Sequence, residues 1–352
     1  MKVLGLAADN GGCGFYRLRA PAEAALALGV DITIADGIDA KATKFPDGTV
    51  QVDELHTDAD LIIVQRPLDN SMTAIIEQAK KQGIATMVEL DDDFSTVHTR
   101  NVAHSSITGK ATLGNQWVEK AAATADHVSI STPQLAKYAR HGRYSILRNC
   151  VPESIFDVVN VKSEGQKWPR IGWSGTVQTH PFDLQETKGR VADVLAENGL
   201  PFNVIGDGQQ VATALRLKPD HPVYATGWVP IEQYYMHLYS FVDIGIVPLE
   251  ISPFNQAKSA LKGLEYAALG IPFVASPTRE YERLAAYGIG KIARNPAEWK
   301  KHLQRMIDRP AETERIGKES RDRIRAEHTY RVNAPQWIEA WEKAIHYRKT
   351  QP

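Results

Sequence analysis

The stretch FNQAKSALKGLEYAALGIPFVAS, residues 254–276, predicts a loop, then an amphipathic helix, then a buried strand. Its apolar residues recur at helical spacing on one face, and Gly270 and Pro272 mark the end of the helix. A helix that leads directly into a short apolar strand is typical of a parallel α/β sheet. The rest of the chain should therefore repeat this unit.

The polar face of this helix carries Lys258, Lys262 and Glu265, with Ser259 near its start. One interpretation is a solvated face on which Lys262 and Glu265 form an exposed i,i+3 pair worth a few tenths of a kcal/mol. The other is a ligand site. The amides from Asn255 to Ser259, the positive helix end and Lys258 would hold an anion. Glu265, two turns further on, would accept hydrogen bonds from the hydroxyls of a ribose, so the ligand would be a nucleoside diphosphate.

The strand–helix alternation extends over both halves of the chain, which at 352 residues is long enough for two cores. We therefore predict two doubly wound α/β domains over residues 1–160 and 161–330, joined by the polar stretch 158–168. A final helix over 331–352 carries Trp337 and Trp341 on one face. The strand candidates of the first half are KVLGLAA, VDITIAD, DLIIVQR, IATMVEL, HVSIS and YSILRN; those of the second are RIGWSG, FNVIGDG, VYATGWV, VDIGIVPL, IPFVAS and IGKIA.

The composition is that of an ordinary globular protein, with 43% hydrophobic and 24% charged residues. The formal net charge of −1 gives no global field that favours nucleic acid or a membrane surface. The chain has two cysteines, Cys13 and Cys150, and no apolar run approaches the roughly 20 residues of a membrane span. We therefore expect a cytoplasmic protein.

The first strand ends in the glycine-rich sequence AADNGGCGFYR. Gly12 and Gly14 allow the backbone to approach a ligand closely beside a helix start. The same letters also fit a plain strand-to-helix turn, or a dinucleotide fingerprint in which Asp36 binds a ribose. Arg17 occupies the third glycine position of that fingerprint, which argues against a dinucleotide.

The fourth strand ends in ELDDDF, where Asp91, Asp92 and Asp93 are adjacent. Three neighbouring carboxylates repel one another unless they are solvated, used as helix caps or bound to a cation. One of them could instead orient a sugar hydroxyl in a cleft, or the three could bind a divalent metal. His98 and His104 follow in a loop that could line the same cleft.

The second half offers further ligand-binding candidates at strand ends. Ser174, Gly175 and Thr176 in GWSGTVQTH combine small side chains with amides suited to a phosphate. In TGWVP, backbone groups around Val229 could hold a nucleotide base, with Trp228 as an apolar wall. Each feature is weak alone, because Gly-rich turns are common, but they occur in succession.

Taken together, these motifs resemble the donor-binding half of GT-B glycosyltransferases, specifically the large retaining family that uses nucleotide sugars. The resemblance rests on FNQAKSALKGLEYAALGIPFVAS, preceded by GDG, TGWVP and YSFVDIGIVPL, and on STPQLAKYARHGRYSILRNCV with Asn149 at the hinge. It implies two Rossmann-like domains that face each other across a cleft, a donor in the second, an acceptor in the first, and no metal. Glu265 then matches the ribose-binding glutamate, residues 255–259 the diphosphate loop, and Gly12 and Gly14 the loop that closes over the phosphates.

The chain departs from the family pattern at several positions. Ala257 stands where most members have a second glutamate, and no early basic pair follows the first strand of the second domain. Lys258, with Arg17 from across the cleft, is expected to supply that charge. The Asp91–Asp93 run replaces the usual histidine of the first domain. We therefore expect Lys258, Arg17 and Asp92 to be catalytic, and Cys13, Asp91, His98 and His104 to lie on the acceptor side.

The resemblance implies an enzyme that moves a hexose-type sugar from a UDP- or GDP-linked donor to a hydroxyl, with retention and without metal or other cofactor. The acceptor could be a protein, a glycan or lipid-linked sugar, or a hydroxylated DNA base. The departures leave room for a noncatalytic nucleotide-sugar-binding protein. An NAD(P)-dependent oxidoreductase is the remaining alternative.

Overall fold

The computed structural model describes residues 1–105, 114–158 and 169–351. Its first half contains a parallel six-stranded sheet in the order β2-β1-β5-β6-β7-β8, flanked by an antiparallel pair, β3 and β4. All six strands predicted for this half are present. The strands are Lys2–Leu6 (β1), Asp31–Ala35 (β2), Ala40–Lys44 (β3), Val50–Leu55 (β4), Leu61–Gln65 (β5), Ala85–Leu90 (β6), His127–Ile130 (β7) and Tyr144–Ile146 (β8).

The second half contains another parallel six-stranded sheet, in the order β11-β10-β9-β12-β13-β14. Its central strands are completely buried, which explains their nearly continuous apolar sequences. The prediction of two doubly wound α/β sheets is thus confirmed. The strands are Ile171–Ser174 (β9), Phe202–Ile205 (β10), Val223–Ala225 (β11), Ile244–Val247 (β12), Phe273–Ala275 (β13) and Lys291–Ile292 (β14).

Helices connect the strands and cover both faces of the sheets. The first short helix continues into a π-helical turn, Phe15–Arg19, and three-residue-per-turn segments occur at Phe94–Thr96, Pro133–Tyr138, Glu153–Asp157 and Asp183–Thr187. The α-helices are Gly12–Gly14 (α1), Ala20–Leu26 (α2), Asn70–Lys81 (α3), Gly114–Thr124 (α4), Arg190–Asn198 (α5), Gly208–Leu215 (α6), Ile231–Phe241 (α7), Pro253–Gln256 (α8), Leu261–Ala268 (α9), Arg279–Ala286 (α10), Pro296–Asp308 (α11), Pro310–Glu327 (α12) and Tyr330–Thr350 (α13).

The last helix, α13, packs against α2 and the first sheet although it follows the second sheet in the chain. Trp337 and Trp341 are 2% exposed, and the hydroxyl of Tyr330 donates to the carbonyl oxygen of Tyr16. The predicted linker falls almost entirely within residues 159–168, outside the described part of the chain. The domain boundary at 160/161 therefore stays a prediction.

No helix in the described ranges is both long enough and apolar enough to cross a membrane.

Candidate active site

A cavity of about 240 Å³ lies between the two sheets. Its lining comes largely from segments that follow β1, β5, β6, β8, β9 and β12, so the carboxyl ends of both sheets face it, as expected for open parallel sheets. Both polar and apolar side chains contribute. The lining residues are Cys13, Arg66, Asp91, Asp92, Asn149, Trp173, His180, Asp183, Val247, Pro248, Leu249, Lys258, Ser259, Leu261, Lys262, Glu265 and Tyr281.

Six of the residues predicted from sequence to act in catalysis or binding line this cavity, three from each half of the chain. They are Cys13, Asp91, Asp92, Lys258, Ser259 and Glu265. These residues meet because each follows a strand or lies in the helix after one, and the carboxyl ends of parallel strands lie at the same edge of a sheet.

A charged network joins the two halves at the cavity. Lys258 Nζ lies 3.1 Å from Asp92 Oδ1, and Arg66 donates to both Asp91 Oδ1 at 2.5 Å and Asp92 Oδ2 at 2.6 Å. Burial raises the pKa of Asp92, but the charges of Lys258 and Arg66 outweigh it and bring that pKa to about 2. Lys258 is thus already paired with a carboxylate, which the sequence did not indicate.

The three aspartates of the ELDDDF motif have separate roles. Asp91 and Asp92 face the cavity, whereas Asp93 is 4% exposed and caps the turn at Phe94–Thr96 by accepting from Ser95 N at 3.2 Å. Asp93 also pairs with Lys137 at 2.7 Å. Among residues 1–105, 114–158 and 169–351, no group of three His, Cys, Asp or Glu side chains could hold a metal ion.

Glu265 is 5% exposed at the cavity wall, so it is not part of an exposed ion pair. Its Oε1 accepts from the hydroxyl of Tyr16 at 2.5 Å, and its Oε2 accepts from the hydroxyl of Tyr234 at 3.2 Å. Burial raises the pKa of Glu265, while the hydrogen bond from Tyr16 and the charge of Lys262 oppose that rise. Two hydroxyl groups therefore already satisfy this carboxylate, in a pattern that ribose hydroxyls could reproduce.

Lys262 lines the cavity, although from sequence it was considered only as part of an exposed ion pair. Its ammonium donates to the carbonyl oxygen of Ser174 and lies 5.2 Å from the centroid of the Trp173 ring. Burial lowers the pKa of Lys262 to about 8, although the Glu265 carboxylate opposes this. Within the described residues, no carboxylate lies at ion-pair distance from Lys262, in contrast to Lys258.

A histidine–aspartate pair also lines the cavity and was missed at the sequence level. His180 Nδ1 lies 2.7 Å from Asp183 Oδ2, and Asp183 is 3% exposed. The i,i+3 spacing in THPFD, directly after a strand end, is the signal that could have revealed it.

The predicted single helix over the first stretch is interrupted, which moves its amino end. α8 covers Pro253–Gln256 and α9 begins only at Leu261, after a break at Lys258–Ala260. The amides of Asn255 and Lys258 donate to Ser252 Oγ and Asn255 O. The buried Asn255 side chain donates to Asp183 and Glu250 O instead of facing the cavity. The prediction of free amides was therefore wrong from Asn255 to Lys258, and the helix start that faces the cavity is that of α9, where Leu261 and Lys262 line it.

The glycine loop after β1 is satisfied by its own chain. Asp9 Oδ1 accepts from the amides of Gly11 and Gly14 at 2.8 and 3.1 Å, so these donors are not available to a phosphate. Gly12 is exposed, and neither Gly12 nor Gly14 lines the cavity. The amide of Gly175 likewise donates to Ile205 O at 3.1 Å. The expectation of a free amide at Gly175 is thus corrected, and the amide of Gly14, in the loop predicted to close over the phosphates, is already paired.

The segment 174–176 lies beside the cavity without lining it. Ser174 is 2% exposed, and its Oγ lies 3.0 Å from the hydroxyl oxygen of Tyr234. Thr176 is half-buried, and its carbonyl oxygen accepts from Thr179 Oγ1 at 3.5 Å. Through its carbonyl group, Ser174 positions Lys262.

Arg17 was expected to reach the cleft, but it is 1% exposed and lies outside the cavity lining. Its guanidinium pairs with Glu89 at 2.7 Å, donates to Leu147 O and Asn149 Oδ1, and lies 4.8 Å from the Trp337 ring. Arg17 is thus held inside the protein, where it joins the hinge to the last helix.

The remaining candidates lie away from the cavity lining. Trp228 is 63% exposed and Val229 packs against the core. His98 is exposed, and its ring centroid lies 4.8 Å from that of Phe182 with the two planes nearly perpendicular; His104 is half-buried.

Comparison with known proteins supports the architecture. Residues 189–339 match the family model described as glycosyl transferase-like. Sucrose-phosphate synthase from Thermosynechococcus elongatus aligns over 98% of this chain and 100% of its own, with 16% identity and a TM-score of 0.65. Anabaena HepE in complex with UDP and glucose aligns over 96% and 98%, with 14% identity and a TM-score of 0.61.

A third similar structure is α,α-trehalose-phosphate synthase (UDP-forming) from Burkholderia vietnamiensis, which aligns over 83% of this chain and 74% of its own. It shares 14% identity, with a TM-score of 0.56. A search of curated protein sequences finds no match. The resemblance to GT-B glycosyltransferases and the GT-B fold are thereby confirmed.

Proposed function

We propose that this GT-B chain is a glycosyltransferase that moves a hexose-type sugar from a nucleoside-diphosphate sugar to a hydroxyl acceptor. One observation carries the proposal: the interdomain cavity combines a buried carboxylate, Glu265, with the ammonium group of Lys262 one helical turn away. The glycosyl transferase-like match over residues 189–339, which includes this segment, supports it. HepE, a protein of similar fold, binds UDP and glucose.

The donor is proposed to lie along the start of α9. Its diphosphate meets Lys262 and the helix amino end, where positive charge is favourable for anions. The ribose hydroxyls donate to Glu265, replacing the hydroxyls of Tyr16 and Tyr234. The base extends towards residues 226–230, and either a uracil or a guanine fits this description.

The chemistry requires stabilisation of the charge that develops on the departing diphosphate. Lys262 supplies a cation directly, and Lys258 supplies a second when phosphate oxygens compete with Asp92 for its ammonium. Because side chains provide this charge, we propose that transfer needs no metal and no further cofactor. We also propose that the acceptor attacks from the leaving-group side, so that the anomeric configuration is retained, and that the enzyme acts in the cytoplasm.

A panel of sugar nucleotides tests the proposal. The protein is incubated with UDP-glucose, UDP-galactose or GDP-mannose and with glycan, lipid-linked, peptide or hydroxylated-DNA acceptors, and products are identified by mass spectrometry. We expect turnover of one donor, unaffected by EDTA, with retention in the product. Binding of UDP and GDP without turnover would instead indicate a noncatalytic binding protein.

Glu265→Ala tests the ribose assignment by titration calorimetry with the nucleotide that binds. Loss of hydrogen bonds to a charged group costs about 1.5–3 kcal/mol each, so affinity should fall at least about tenfold. Glu282→Ala, an exposed carboxylate of the same half, serves as the control. Near-normal affinity in Glu265→Ala would remove the ribose assignment.

A further inference from the structure

The His180–Asp183 pair is built as a positioned base. Asp183 Oδ2 lies 2.7 Å from His180 Nδ1, while Asp183 Oδ1 accepts from Glu250 N at 2.9 Å and from Asn255 Nδ2 at 2.7 Å. Three donors from separate segments therefore fix the carboxylate. Asn255, which was expected to face the phosphates, instead serves this pair.

This geometry defines the histidine tautomer. Because Asp183 is a carboxylate acceptor, His180 Nδ1 carries the proton and Nε2 carries the lone pair. Within the described parts of the chain, Nε2 has no hydrogen-bond partner, and the residue lines the cavity. The lone pair is thus available to a ligand in the cavity.

Burial, together with two nearby ammonium groups, favours the neutral form of the His180 ring. Burial lowers the pKa of His180, the hydrogen bond to Asp183 opposes this, and the ammonium groups of Lys258 and Lys262 lower it further, to a value below 6.5. Asp92 also faces the histidine across the cavity. Near neutral pH the imidazole can therefore accept a proton.

The first half of the chain holds the loop that carries His180. Asn101 Nδ2 donates to Thr179 O at 2.9 Å, and Val102 N donates to Gln178 O at 3.2 Å. The Arg100 guanidinium lies 5.4 Å from the Phe182 ring. The segment expected to face the acceptor thus also sets the position of the histidine.

We propose that His180 accepts the proton of the acceptor hydroxyl and that Asp183 positions its ring, an inference that rests on the proposed glycosyl transfer. The O–H proton moves to Nε2 as the hydroxyl oxygen bonds to the anomeric carbon. The bond from that carbon to the phosphate oxygen breaks, and its electron pair leaves with the nucleoside diphosphate beside Lys262. The imidazolium then returns its proton to the departing phosphate or to solvent. Because His180 lies near both cavity lysines, the base and the leaving group share one side, as retention requires.

Hydrolysis of the donor tests this without knowledge of the acceptor, since water then takes the place of the hydroxyl. UDP release from UDP-glucose, or the corresponding nucleotide from whichever donor the panel identifies, is followed from pH 5 to 9. General-base catalysis contributes about 10²- to 10⁴-fold, so His180→Ala should lose about 100-fold or more. Nucleotide affinity should stay within about twofold, and added imidazole should restore part of the rate.

The pH profile distinguishes the roles of the pair. Wild-type hydrolysis should fall on the acid side with a midpoint below pH 6.5, because the protonated ring cannot accept a proton. In Asp183→Asn, hydrolysis should be slower but should still fall on the acid side. The midpoint of that fall should move to lower pH, since the carboxylate no longer favours the imidazolium. His237→Ala, a histidine of the same half that bonds within its own helix, should behave as wild type.

His180→Gln provides a second variant if His180→Ala does not fold. Hydrolysis at wild-type rate in either folded variant, or a wild-type profile with no acid limb, overturns the role of His180 while leaving nucleotide-sugar transfer intact. A wild-type protein that binds neither UDP nor GDP overturns the proposed function itself.

Discussion

At the residue scale, the two cavity lysines differ in the groups that contact their ammonium charges. Burial alone would lower the pKa of Lys258, but Asp92 raises it above its usual value, so Lys258 stays charged and paired. Burial brings the pKa of Lys262 to about 8, and its ammonium contacts the carbonyl oxygen of Ser174 and the indole ring of Trp173. Lys262 is therefore better placed than Lys258 to meet an incoming diphosphate.

This difference predicts how nucleotide affinity depends on pH. Lys262 is an ammonium below about pH 8 and loses its charge as the pH rises through that value, so UDP affinity should be constant near neutrality and fall above about pH 8. Lys262→Ala should bind about 10- to 100-fold more weakly near pH 7 and lose this alkaline fall. Lys258→Ala should keep it.

Titration calorimetry from pH 6.5 to 9.5 measures the effect, in buffers of matched ionic strength. The assignment fails if the alkaline fall persists in Lys262→Ala, or if it disappears in Lys258→Ala. GDP replaces UDP if the panel identifies a guanosine donor.

At the element scale, the sequence predicted the twelve strands of both sheets because they are short runs rich in apolar residues, and helical patterns separate most of them. It did not predict the β3–β4 pair, because Ala40–Lys44 is mostly exposed with only alanines as apolar residues, and the short alternation of Val50 and Val52 in the second strand was missed. It also merged α8 and α9 into one helix, since the apolar spacing continues through the break. Ser252 before Pro253 is an N-terminal helix signal that could have separated them.

The turn from β1 into α1 supports a prediction about backbone packing. A Cβ at Gly14 would lie 2.0 Å from the carbonyl oxygen of Asp9, whereas a Cβ at Gly12 would meet nothing within 4 Å. Gly14→Ala must displace the turn and should lower the free energy of unfolding by about 2 kcal/mol or more. Gly12→Ala should change it by less than about 0.5 kcal/mol.

Urea unfolding followed by circular dichroism gives both values under identical conditions. Equal stability of the two variants would show that the loop adjusts freely, contrary to the close contact with Asp9. Since Gly12 was predicted to approach the donor, nucleotide titration of Gly12→Ala also tests that expectation independently of stability.

At the scale of the whole molecule, the sequence could indicate which charges face the cleft but not how they pair. Asp91, Asp92, Lys258 and Glu265 were placed there because polar groups after parallel strands converge. The partner of Lys258 is 166 residues away and that of Glu265, Tyr16, is 249 away. Arg66, which holds two aspartates from a left-handed backbone conformation (φ 47°), also follows a predicted strand, but nothing in the local sequence indicates its two partners. Such pairings depend on how the two halves meet.

An ion pair ties the last helix, α13, to the first half of the chain. We expect its loss to lower the free energy of unfolding substantially. Asp126 is fully buried, accepts from Thr86 N and Oγ1 at 2.9 Å, and pairs with Arg348 near the end of α13. Arg348→Ala would leave that carboxylate without its cation, which typically costs about 3 kcal/mol or more. Lys349→Ala, with no carboxylate at ion-pair distance in the described residues, should change stability by less than about 0.5 kcal/mol.

Chemical unfolding of both variants and of Arg348→Ala/Asp126→Asn measures the coupling, and we expect the double variant to regain part of the loss. Equal stability of Arg348→Ala and Lys349→Ala would show that α13 contributes no such tie to the first sheet.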